Sequence, residues 1–196
     1  KKPFEHVVSA LRAVSCNFTV RRNDSDSNSF MDRYVRSGHR PFDWRPPNGF
    51  PEQSAYLMNS TAFVHAWRAV DWVLDARLGS TETPLAPLLQ ITLDEFGSSP
   101  AQHTPNLLAD FWMSRVLGWT PGGPTGWRGT EMHTRIRDFM SRGSDTVTMF
   151  NVDVGIGNGP AGNTLGIDTT SSPNYWHPRL RGMVNCILFS PQFMVR

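Results

Sequence analysis

The sequence predicts a mostly α protein: an irregular helical domain with long Gly/Pro/Trp-rich ordered loops and little β. Three observations carry this. Apolar residues recur three and four apart in several separate windows, the period of a helix with one buried face. The 16 Gly and 15 Pro of the 196 residues gather largely between those windows, where they forbid a helix interior or a central strand. Four of the seven Trp, Trp44, Trp119, Trp127 and Trp176, stand among Gly and Pro rather than on helical stripes. Large rings in such segments either plug the core from outside or contact a partner or ligand.

The elements follow in order. Phe4, Val7, Val8, Leu11 and Val14 make one helical stripe, and Pro3 suits the first turn, where its missing N–H costs nothing. Residues 17–28 are polar and turn-rich and read as a surface loop. A short helix over about Ser29–Ser37 carries Phe30, Met31, Tyr34 and Val35. Gly38 to Pro51 holds four prolines, two glycines and the aromatics Phe42, Trp44 and Phe50, and reads as an ordered extended segment. Asn59-Ser60-Thr61 can cap a long helix reaching about Leu78, with Phe63, Trp67, Val70, Leu74 and Arg77/Leu78 on its stripe.

Three further helices are predicted over about 84–90, 104–117 and 130–142, the second bearing Leu107, Leu108, Phe111, Trp112 and Val116. Gly118 to Pro124 is a breaker between them. Residues 145–151 have β-propensity and suit a short strand, and 155–175, with five Gly and two Pro, read as an irregular loop. A helix over about 178–189 with Leu180, Met183, Val184, Ile187 and Leu188 closes the pattern. No repeat of 20–50 residues appears. The chain therefore reads as a single region, 1–196, with 143–177 as a Gly-rich insertion loop.

Composition narrows the function classes. Nineteen Lys+Arg against 17 Asp+Glu give a net charge of +2 with no basic block, which argues against a nucleic-acid binder. No apolar run approaches the ~18 residues of a membrane span. With 39% apolar and 11% aromatic residues the chain can bury a core. Two cysteines, Cys16 and Cys186, make neither a disulfide scaffold nor a zinc ribbon. They read as buried thiols, with a helix-tying disulfide as the alternative.

The chemistry-bearing residues are scattered. None of the six histidines stands four from another with an acid between them in the zincin manner. His39, His65 and His177 each lie near an aromatic and a polar neighbour and are the candidate catalytic or metal-binding positions. His65, two residues from both Phe63 and Trp67, equally suits a hydrogen-bonded histidine at the core boundary. Glu5-His6 flanks the first stripe. Cofactor and metal are undetermined by any spacing signature. Gly155-Ile156-Gly157-Asn158-Gly159 has the wrong glycine order for a dinucleotide loop, and Pro160 removes an N–H from any phosphate nest. No Gly-x-Ser-x-Gly elbow is present. Asn-x-Ser/Thr triplets occur at Asn17, Asn23 and Asn59, the last better explained as a helix start.

Three separated stretches are shared with one known family. Lys2-Pro3-Phe4-Glu5-His6-Val7-Val8-Ser9-Ala10-Leu11-Arg12-Ala13 resembles its K-x-P-x-E-x-V-V-S-A-L-R-A helix. Pro41, Phe42, Pro46, Pro47, Gly49, Pro51, Leu57 and Asn59 are similar to its Pro-rich loop and following helix. Arg179 to Phe193, ending Leu188-Phe189-Ser190-Pro191-Gln192-Phe193, resembles its terminal helix, with Gln192 in place of the usual acid. The family is the bacterial domain-of-unknown-function group numbered eighteen hundred, and the order fits its C-terminal half. The resemblance covers the termini and residues 38–78 well and 80–140 loosely, and it leaves 143–177 as an insertion. It implies an exported protein, periplasmic or extracellular, often with a twin-arginine signal and encoded beside a sulfatase-like family. It supplies no reaction.

Two functional readings result. Residues 1–15 hold Glu5, His6 and Arg12 where a signal peptide would be apolar, so the chain reads as a processed product or a piece. The first reading is thus a C-terminal segment of an exported helical protein, acting with its N-terminal half or another partner chain through Trp44, Trp119, Trp127 and Trp176. The alternative is part of a secreted hydrolytic or metal-dependent enzyme completed by His39, His65 and His177.

Overall fold

The structure, a computed structural model, describes residues 3–17, 19, 21–37, 60–75, 77–78, 83–97, 102–118, 129–141 and 178–194. The expected strand at 145–151, the Gly-rich loop, the Pro-rich segment 38–51 and the insertion 143–177 lie outside these residues. The described residues are mostly helical, as the sequence predicts, with a two-residue antiparallel ladder as their β structure. No described helix is long and apolar enough to cross a membrane. The chain divides into two compact units, residues 1–86 with 194–196, and residues 87–193.

The first unit is built on α1 (Pro3–Ala13), α2 (Ser25–Val35) and α3 (Ser60–Asp75), with α3 packing on both others. His6, Val7 and Ala10 of α1 and Val14 just after it are buried; Val8 and Leu11 are only half-buried. Helix α2 starts four residues before the expected position. Asp24 caps it, its carboxylate accepting the Ser27 N–H at 2.8 Å, and these bonds hold the Asp24 carboxyl below its usual range. The cap converts what reads as loop into a first turn. Phe30 stacks on Tyr34 at 6.1 Å and meets Trp72 of α3, over which Arg33 also lies.

Helix α3 departs from its predicted stripe. Its buried residues are Ala62, Ala66, Ala69, Val70, Val73 and Leu74, whereas Phe63 and Val64 are 40% and 45% exposed and Trp67 is half-buried. Small side chains let α3 approach two helices at once, since interaxial distance follows the residues at the contact. The helix also stops at Asp75: β1 (Arg77–Leu78) pairs with β2 (Thr83–Pro84), Arg77 opposite Pro84. Beyond them the Asn17 N–H donates to the Leu85 carbonyl at 2.9 Å.

The second unit comprises α4 (Leu88–Phe96), α5 (Pro105–Leu117), α6 (Glu131–Ser141), α7 (Pro178–Leu188) and all but the last residue of the short α8 (Pro191–Met194). Helix α4 begins after Pro87 rather than at Pro84, because a residue preceding proline is pushed out of the α region. Helix α5 is bounded as expected: Thr104 accepts the Leu107 N–H, Pro105 occupies the first turn, and Gly118 closes it at φ +64°. Helices α5, α6 and α7 pack on one another around Leu108, Trp112, Met113, Ile136, Met140, Met183, Val184 and Ile187, all buried. Ser190 caps α8, accepting the Phe193 N–H at 3.3 Å and donating to the Ile187 carbonyl at 2.7 Å, so the Ser-Pro-Gln-Phe ending turns Phe193 into the core.

The α6–α7 contact requires Gly182. A Cβ there would lie 3.0 Å from Phe139 Cζ, and Arg179 holds that ring by lying over it and donating to the Phe139 carbonyl at 2.7 Å. Gly182→Val is therefore expected to cost about 2 kcal/mol through overpacking, measured by chemical denaturation.

Cys16 and Cys186 are thiols rather than a disulfide, and both are partly covered. Burial pushes the Cys16 thiol up to about 11 and raises that of Cys186 as well. Only the thiolate attacks an electrophile, so native Cys16 should alkylate at pH 8 on the order of a hundredfold more slowly than a free thiol. Timed alkylation followed by peptide mass analysis checks this, and in denaturant without reductant both cysteines should label fully.

Candidate functional site

Two buried polar groups meet across the α5–α6 contact. Asp110 stands on α5 among Ala109, Met113 and Leu117, inside an otherwise apolar face, and is 7% exposed. His133 lies in the first turn of α6, on the line of Ile136 and Met140, and is 3% exposed. The His133 Nε2 and Asp110 Oδ1 are 3.1 Å apart. An ionised carboxylate only accepts, so Nε2 carries the proton. The other ring nitrogen, Nδ1, then accepts the Gly129 N–H at 3.4 Å. The Thr130 hydroxyl caps the same turn by accepting the His133 N–H at 3.3 Å.

The imidazole is thus oriented from both sides. Carboxylate–histidine pairs serve where a ring must be fixed in one tautomer, and here the carboxylate fixes it while the free lone pair meets a backbone donor. The pair joins the helical core to the chain entering α6. A buried carboxylate without such a donor would be costly.

A second histidine is fixed nearby in sequence. His103, fully buried before α5, donates from Nε2 to the Gly97 carbonyl at 2.9 Å, and its ring meets Phe96 edge-on at 6.4 Å. Its Nδ1 is buried without a hydrogen bond among the described residues. Gly97, at φ +73°, ends α4, so His103 ties that turn to the start of α5. Phe96 in turn meets Phe111 of α5.

Of the positions singled out from sequence, His65 lies on α3, half-buried, with no hydrogen bond among the described residues. It stands beside the exposed Phe63 and Val64 and the half-buried Trp67, whose ring is 6.4 Å from that of Phe63. His39, His177, Trp44, Trp119, Trp127 and Trp176 lie outside the described residues. His6, expected on a flank, is buried in α1. Among the described residues no three His, Cys, Asp or Glu side chains gather in a metal-holding group.

Sequence reasoning passed over Asp110 and His133. A signal was available: Asp110 interrupts Leu107-Leu108-Ala109 and Phe111-Trp112-Met113, and His133 begins the stripe continued by Ile136 and Met140. Each is a lone polar residue on an apolar face, and the two need each other.

No curated protein and no solved structure matches the chain. The family model described as "Protein of unknown function (DUF1800)" matches residues 1–195, bearing out the family that the sequence resembles, and the chain belongs to that family.

Proposed function

We propose that this chain is a helical module that works in association with a second polypeptide, and that the outer side of α3 is where the partner seats. The observation that carries it is the exposure of Phe63 and Val64, 40% and 45%, next to Trp67 and His65 on one helix. An apolar and aromatic cluster left outside, rimmed by Arg68 and Asp71, has the composition of an interface centre with a polar border. The low charge of the sequence, 18%, suits a chain with surface to be covered.

The partner we assign is the N-terminal half of the same protein, with a sulfatase-like neighbour as the other source, in an exported, periplasmic or extracellular setting. The family resemblance supports both assignments. The test is Phe63→Glu and Val64→Glu, read by light scattering on the native assembly. The substitutions lie on an exposed side and should leave helicity unchanged while releasing the chain at its own 22.0 kDa. Retention of the partner by both variants would overturn the assignment of α3.

A further inference from the structure

We draw no further inference here: the strongest candidate, the surface patch on α5 formed by the exposed Leu107 one turn before the half-buried Phe111, whose ring meets Phe96 of α4, is an apolar face and nothing in the structure shows what covers it.

Discussion

Asp110→Ala is expected to destabilise the protein by about 3 kcal/mol, because it strands the buried Nε2–H donor of His133 and opens space beside it. Asp110 and His133 are both nearly closed off from solvent, so water reaches the orphaned donor poorly. The asymmetry of buried pairs makes a sharper expectation available. Replacing both partners, Asp110→Leu with His133→Leu, removes the charge, the donor and the desolvation cost together. That double variant should recover most of the loss, and urea unfolding of the two single variants and the double reads the coupling directly. If the two losses simply add, the pair is not the unit the 3.1 Å contact implies. His133→Leu alone should approach the cost of Asp110→Ala, since it takes the ring N–H away from a buried carboxylate.

Trp112→Ala should cost about 4 kcal/mol. Trp112 is fully buried on α5, and its ring meets Phe111 edge-on at 5.5 Å. Its indole Nε1–H donates to Thr92 Oγ1 at 3.1 Å while that hydroxyl donates to the Leu88 carbonyl at 2.8 Å. The ring thus both fills the second unit and ties α5 to α4. Thr92→Val separates the two contributions: it keeps the shape, orphans the indole N–H, and should cost about 1 kcal/mol. Thermal and urea unfolding of both variants provide the check. A Trp112→Ala loss no larger than that of Thr92→Val would mean the core closes over the missing ring.

Much of this fold is legible in the sequence where caps and stripes agree. Thr104, Pro105 and Gly118 bound α5 by ordinary capping chemistry, and Pro178 opens α7 as anticipated. The misreadings have physical causes. At α2 the Asp24-Ser25-Asp26-Ser27 stretch looks like a turn by composition, yet Asp24 spends its carboxylate on Ser27 and starts a helix. At α3 the large rings of Phe63 and Trp67 dominate any count of apolar residues, while the core takes Ala62, Ala66 and Ala69. Close helix approach favours the small residues, and only the positions of the neighbouring helices reveal which side is inward. Leu78 continues the spacing of α3 but belongs to the β1–β2 ladder, where pairing with Thr83 replaces the helical bond.

The site was less legible than the fold. Asp110 and His133 lie 23 residues apart, so no local motif joins them. What the sequence does contain is one misplaced polar residue on each of two apolar faces. Such residues are costly alone and inexpensive together, which is a reason to pair them before any coordinates exist. His65, chosen for its aromatic neighbours, shares α3 with them, but Phe63 and Val64 face outward, so the neighbourhood that singled it out is a surface rather than a pocket wall.

The central claim is that this chain acts as part of a larger assembly through the outer side of α3. The most direct measurement is the mass of the native protein in solution under non-denaturing conditions. The account predicts a stoichiometric species heavier than the 22.0 kDa of the chain, in which Phe63 and Val64 are shielded from surface labelling. A native species of 22.0 kDa with both side chains fully open to the label would contradict it.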